Sequence, residues 1–280
     1  MQNKTNHPKL KIAFIGGGNM AAALMGGLIP AVAAASDVHV VDVSQLSLTR
    51  LEAEYGVSTA LQIDQGVAAA DVIVLAVKPQ QMRDVIQSLQ PFLTKQLLIS
   101  IAAGIRASDM SRWLGDYQHI VRSMPNTPAM VGKGITGLYA LPGVTADQKQ
   151  IAETILSAVG MTSWFEDEAK IDAVTAISGS GPAYVFYFIE ALQQAALELG
   201  FSPAQASQFA IATFEGAASL ALHADEPVAT LREKVTSKGG TTFAALSSMQ
   251  EAGIQAAIVR AAKAAAQRAT ELGDEFGQQA

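Results

Sequence analysis

Hydrophobic positions follow two regimes along this chain. Through residue 165 they come as short continuous runs, broken by polar stretches that carry glycine or proline. Leu10 to Ile15, Val38 to Val43, Val72 to Val77 and Leu97 to Ile101 are such runs. Their length and β-branched content predict strands buried on both faces of a sheet. Helices are expected between them: Ala21 to Ile29, a Ser44-capped helix to Glu54, Gln62 to Ala69, and Gln80 to about Leu89. A short helix capped by Ser108 runs through Trp113. A short strand near Val57 and strands at His119 to Ser123, Ile135 to Ala140 and Met161 to Phe165 complete the set. A helix capped by Thr145 precedes the last of them. Strand and helix in alternation predict an α/β, Rossmann-type, doubly wound and mostly parallel sheet.

From Ala169 onward no strand pattern remains. Ala183 to Leu199 reads as a helix, with Pro182 in its first turn and Gly200 at its end. Ser202-Pro203 opens another that reaches about His223. Helices at Val228 to Val235, Phe243 to Ala252 and Gln255 to Leu272 follow. They are apolar over most of their circumference and must be buried on several sides. So few residues cannot do that alone, and an oligomer interface is expected. The division is a disordered polar leader (1–8), a dinucleotide-binding domain (9–166) and an all-helical substrate-binding and oligomerisation domain (167–280).

Composition narrows the chemistry. The chain of 280 residues has no cysteine, so thiol nucleophiles and thiolate metal sites are excluded. His7, His39, His119 and His223 are scattered without ligand spacing, and no metal is expected. Residues 1–165 carry 12 Lys/Arg against 11 Asp/Glu, and residues 166–280 carry 7 against 14. Neither half has the basic excess of a nucleic-acid binder. Lys9 and Lys11 before an uncharged stretch resemble a secretory signal, but the glycine turn, Gly26-Gly27 and Pro30 interrupt it. The absence of cysteine fits a cytoplasmic protein, and no membrane-spanning helix is expected.

The candidate sites lie in loops beyond strand ends, where a doubly wound sheet places ligands. Ile15-Gly16-Gly17-Gly18-Asn19-Met20 links the first strand to the first helix. Gly16 permits the turn, Gly18 lets backbone approach a pyrophosphate, and Ala21 keeps helix and strand close. Such glycines also serve plain turns, so the pattern alone is weak. Asp42, at the end of the second strand, suits the 2′-hydroxyl of NADH or caps the next helix. Ala76-Val77-Lys78-Pro79 could offer its lysine to a phosphate or to solvent. Ala102-Ala103-Gly104 admits a flat ring or merely turns. Asn126, between Pro125 and Pro128, could bond a carboxamide or close an Asx turn. In the helical half, Ser178-Gly179-Ser180-Gly181-Pro182 reads as a flexible junction that places hydroxyls at a helix start. Ser237-Lys238-Gly239-Gly240-Thr241-Thr242 puts two glycines and two hydroxyls before a helix. That is an anion site suited to a carboxylate, or else ordinary capping.

Phe14 to Met20, Ala76 to Gln80, Ser100 to Gly104, Met124 to Ala129, Ser178 to Tyr184 and Gly239 to Thr242 occur here in an order and spacing that resemble pyrroline-5-carboxylate reductases. The resemblance spans nearly the whole chain. It implies a cytoplasmic enzyme that reduces 1-pyrroline-5-carboxylate to L-proline with NADPH or NADH, the last step of proline biosynthesis. It also implies a homodimer interwoven through the helical domain, with dimers sometimes assembling into decamers. Ser180, Ser237, Gly239, Gly240, Thr241 and Thr242 then bind the substrate, and the Thr242 hydroxyl faces the ring nitrogen as donor or relay. Lys238 departs from the family, which usually has proline there. Around Asp42 many relatives carry residues that suit NADPH.

Two other classes fit less well. A β-hydroxyacid dehydrogenase uses a lysine on the first long helix of its second domain, and no lysine lies between Ile171 and Glu233. A non-catalytic dinucleotide sensor would need no second small-molecule site.

Overall fold

The computed structural model of the protein describes residues 10–278, and the expected leader, 1–8, lies outside them. The chain divides into two compact units. One holds the chain through Ser180 together with Ala265–Ala280, the other Gly181–Ala264.

In the first unit β1 (Ile12–Ile15), α1 (Asn19–Ala31), β2 (Val38–Val41), α2 (Gln45–Tyr55), β3 (Ser58–Ala60) and α3 (Gln65–Ala68) come first. Next are β4 (Val72–Leu75), α4 (Met82–Leu89), β5 (Leu97–Ser100), α5 (Ala107–Trp113) and β6 (Ile120–Met124). The series closes with β7 (Gly134–Ala140), α6 (Ala146–Ser157), β8 (Gly160–Trp164) and α7 (Ala169–Val174). The strands form one sheet in the order β3-β2-β1-β4-β5-β6-β7-β8. All neighbours are parallel except β6 and β7. The order reverses beside β1, so β1 and β4 leave the crevice in which doubly wound sheets bind ligands.

The unbroken apolar runs have a simple cause: both faces of the sheet are covered. Ile12, Phe14, Val72 and Val74 pack with Leu24, Met25 and Leu28 of α1 on one face. Ala13, Ile15, Ile73 and Leu75 pack with Met82, Ile86 and Leu89 of α4 on the other. Burying a side chain of this size stabilises by about 1.5–3 kcal/mol. Capping follows the sequence at two helices here. Ser44 accepts from the Ser47 N–H, and Thr145 forms a reciprocal capping box with Gln148. Ser108 does not cap α5. That helix starts two residues earlier than a Ser108 cap implies, at Ala107, whose N–H donates instead to the Glu168 carboxylate at 2.6 Å.

The Ser178–Pro182 stretch is not a flexible loop. α7 continues into a π-helical turn, Thr175–Gly179, and α8 (Gly181–Glu198) starts two residues on. Glycine here marks a widened turn, not a break. The second unit contains α8, α9 (Pro203–His223, with a Ser202–Gln205 capping box), α10 (Val228–Lys234) and α11 (Thr241–Glu251). α12 (Ile254–Gln278) extends six residues past the expected Leu272, and its last part belongs to the first unit, where Phe276 is buried. α8, α10 and α11 contain no buried residue. Phe186, Tyr187, Leu220 and Leu222 are 59%, 71%, 61% and 68% exposed. Among the described residues no helix is long and apolar enough to cross a membrane.

Candidate active site

The glycine turn is fixed by its neighbours. Gly16 has φ +103°, a conformation L side chains rarely adopt. A methyl group there would lie 2.5 Å from the Ala76 carbonyl oxygen, where β4 leaves the sheet. Gly18 is the N-cap of α1, and no side chain caps that helix. A methyl at Gly18 would meet nothing within 4 Å. The start of α1 therefore faces open space with its N–H groups uncapped, which suits a pyrophosphate.

A cleft of about 790 Å³ opens there, within the range usual for ligand sites. Ile15, Gly16, Gly18, Asp42, Ala76, Val77 and Lys78, all assigned to the cofactor from the sequence, line it. Ser44 and Ser47 also line it and were not anticipated, although two serines three apart after Asp42 signalled them.

Asp42 has a more local employment than its position suggests. One carboxylate oxygen accepts from the Gly17 N–H at 2.6 Å, the other from the Ser44 N–H at 2.8 Å. The side chain thus braces the glycine turn against the start of α2. Arg50 lies a helix away in sequence, but α2 folds it back until Nη2 donates to the Gly17 carbonyl at 3.4 Å. A carboxylate and a guanidinium therefore both sit at this turn.

Around the remaining loops of this unit, Pro79 opens the 3₁₀ turn after Lys78. Ala102 is buried, and its N–H donates to the Ser100 hydroxyl at 3.4 Å. Ala103 is partly exposed beside it. Asn126 is only 7% exposed. Its amide nitrogen donates to the Ser178 carbonyl at 3.1 Å, and its oxygen accepts from the Ile135 N–H at 3.0 Å. A methyl on Gly179 would lie 2.5 Å from Met124 Cε. The Met-Pro-Asn-Thr-Pro and Ser-Gly-Ser-Gly stretches, 52 residues apart at their hydrogen bond, are thus one packed structure. Ser180 closes the π turn, its N–H bonded to the Thr175 carbonyl at 2.8 Å.

The second unit holds the Gly-Gly-Thr-Thr turn. Gly239 has φ +73°. The Gly240 N–H donates to the Ser237 carbonyl at 3.0 Å, and a methyl on Gly240 would strike the Ser237 hydroxyl at 2.5 Å. α11 starts at Thr241 with Gly240 as N-cap and no side-chain cap. The two threonine hydroxyls are therefore not used as capping groups. The helix carries no acidic residue in its first turn, so the positive end of its dipole is not offset there. Thr242 is partly exposed and Lys238 is exposed.

Residues 168–272 match the family model for pyrroline-5-carboxylate reductase dimerisation, and residues 11–104 match the model for NADP oxidoreductase, coenzyme F420-dependent. The pyrroline-5-carboxylate reductase of Pseudomonas aeruginosa is 45% identical over 96% of this chain and 98% of its own. This chain belongs to the pyrroline-5-carboxylate reductase family. The solved reductase of Coxiella burnetii superposes with a TM-score of 0.89 at 42% identity, covering 95% of this chain and 99% of its own. The Plasmodium falciparum reductase, solved with NADP bound, gives 0.85 at 28% identity, with 94% and 98% covered. The reductase family therefore extends over both units, the cleft and the Gly-Gly-Thr-Thr turn included.

Proposed function

We propose that this protein reduces 1-pyrroline-5-carboxylate to L-proline with NADPH or NADH, closing proline biosynthesis. End-to-end similarity to curated reductases carries the reading. The open, uncapped start of α1 fits the dinucleotide that the reaction requires. When bound, that dinucleotide supplies the hydride.

The residues divide the work. Residues 9–166 hold the dinucleotide. Ile15, Gly16, Gly17, Gly18, Asn19 and Met20 present backbone to its pyrophosphate, with Ala76, Val77, Lys78 and Pro79 on the opposite wall. Ala102 and Ala103 give the nicotinamide a flat bed. Asn126 fixes the adjoining loop through Ser178 and Ile135. Asp42 braces the turn, and Ser44, Ser47 and Arg50 give a 2′-phosphate hydrogen-bond donors. The two cofactors are then both admissible.

Residues 167–280 hold the substrate and form the homo-oligomer. The N–H groups at the start of α11 receive the substrate carboxylate, with Ser237, Gly239, Gly240 and Thr241 beside them, and Ser180 is likewise assigned to the substrate. The Thr242 hydroxyl donates or relays the proton at the ring nitrogen. A protonated imine is already electrophilic, so the chain needs only to orient it and exclude alternatives. The exposed apolar faces of α8 and α9 are the dimer surface, and the dimers assemble further into decamers in the cytoplasm. Purified protein is mixed with 1-pyrroline-5-carboxylate and each reduced cofactor in turn. Reduced-nicotinamide absorbance falls with at least one of them, and no loss with either refutes the reading. Thr242→Ala lowers kcat by about 100-fold or more, and full turnover removes Thr242 from the mechanism.

A further inference from the structure

One charged side chain in the first unit is buried where no ligand is needed to explain it. Arg122 lies in β6, only 1% exposed, as the one charge in that buried strand. Nη1 lies 3.2 Å from Glu168 Oε1, and Nη2 lies 2.7 Å from Asp172 Oδ1. The same Glu168 oxygen accepts the first N–H of α5, from Ala107. The other Asp172 oxygen accepts from the Thr270 hydroxyl at 3.3 Å. One guanidinium thus joins β6, the start of α5, α7 and the end of α12.

These attachments border the loops assigned to the reaction. Ala107 closes residues 102–107. Arg122 stands two residues before Met124, whose loop grips Ser178 and Gly179. Glu168 and Asp172 flank the start of α7, which runs into the π turn. α7 and that turn are therefore held at the base by Arg122 and at the far end by Asn126. A π turn often marks a site where local geometry outranks regular helix.

Stability does not account for the cluster. A buried ion pair is often no more stabilising than apolar side chains of the same volume. This one also leaves Arg122 Nε buried without a partner. Its neighbours register the charges. Burial, then the Glu168 and Asp167 carboxylates, hold the Tyr139 phenol above its usual range. Burial is the largest single influence on Arg106 and opposes its charge, but the hydrogen bond to Asp274 together with the Asp274, Asp109 and Asp172 carboxylates raises the guanidinium above its ordinary value.

We infer that Arg122 is a positioning residue for imine reduction. Its fork, fixed by Glu168 and Asp172, keeps residues 102–107, the loop that begins at Met124 and the π turn in one register. The inference rests on the proposed reductase reading of those loops. It adds a residue that touches neither substrate nor cofactor.

The test is Arg122→Lys, which keeps the charge but replaces a planar fork with a single ammonium. kcat falls by about 10- to 100-fold, the cost of small misplacements at a reacting centre. KM for the imine moves by less than about threefold, since the carboxylate anchor at the start of α11 is untouched and only Ser180, at the edge of the π turn, is shifted. The primary isotope effect with deuterated cofactor rises. Hydrogen exchange over residues 102–107 quickens in the cofactor-free protein, a readout independent of turnover. Wild-type kcat and wild-type exchange together overturn the inference. If Arg122→Lys does not fold, Glu168→Gln decides instead. It keeps an acceptor for the Ala107 N–H and removes the charge facing Arg122. Faster exchange and lower kcat uphold the role, and unchanged values refute it. The wild-type assay separates the two claims: an inactive wild type defeats the reductase reading, while exchange still reports on the positioning.

Discussion

Phe14, Leu24 and Ile73 of the first unit are fully buried, while Phe186, Tyr187 and Leu220 of the second stand in the open. Both regions draw on the same apolar alphabet. In the first, each strand gives its alternate side chains to two helical layers and the core closes on itself. In the second, the helices bring more apolar surface than their own contacts cover. The first unit is organised around a cleft, the second around exposed apolar helix faces that we assign to another copy of the chain. Apolar content alone does not distinguish a core from an interface; the number of sides covered does.

The sharpest way to break the comparison is to make the second unit polar where it is exposed. Phe186→Asp with Leu220→Asp is expected to weaken self-association by about a thousandfold, taking two well-buried interface anchors at about 2 kcal/mol each. Sedimentation velocity then shows the oligomer lost, while circular dichroism keeps its helical signal. A variant that sediments as wild type rejects these helices as the interface. A smaller effect is expected from Gly16→Ala in the first unit. Strain at φ +103° and the approach to Ala76 cost about 1–3 kcal/mol or more. Cofactor titration and thermal melting check it. Melting drops modestly and cofactor affinity drops severely, while the oligomeric state is unchanged.

The smallest effect separates charge from bracing within the cleft. Asp42→Asn keeps one acceptor for the turn and removes a negative charge. NADPH is expected to gain on NADH by about 1 kcal/mol, a factor of about 5 in the ratio of kcat/KM. An unchanged ratio means the carboxylate is already neutralised by its two N–H partners.

Much of the first unit was legible in the sequence. Continuous β-branched runs can hardly be anything but doubly covered strands. Ser44, Thr145 and Ser202 announced their helices because a cap is a local event. The misses were non-local. Ser108 lost its capping role to Glu168, 61 residues from Ala107, which no window along the chain can see. Ser178 to Pro182 reads as a break because glycine and proline punctuate most chains, but packing on Met124 and Asn126 kept it helical. From the sequence, α12 is expected to end at Leu272. Instead Arg106 reaches Asp274 at 2.6 Å and Arg112 reaches the Gly277 carbonyl at 2.7 Å, so the helix is held to its end. Arg122 was visible only as the one charge in a buried strand.

The return of α12 to the first unit bears on how the protein is made. Phe276 belongs to the core built around β4 and α4, and Leu272 sits against Gly104. On a ribosome that core waits for the entire second unit to be translated, on the order of ten seconds at about 5–20 residues per second. During that interval residues 102–107 lack their covering helix. The core on this face of the sheet is therefore completed only after the whole of the second unit has been made.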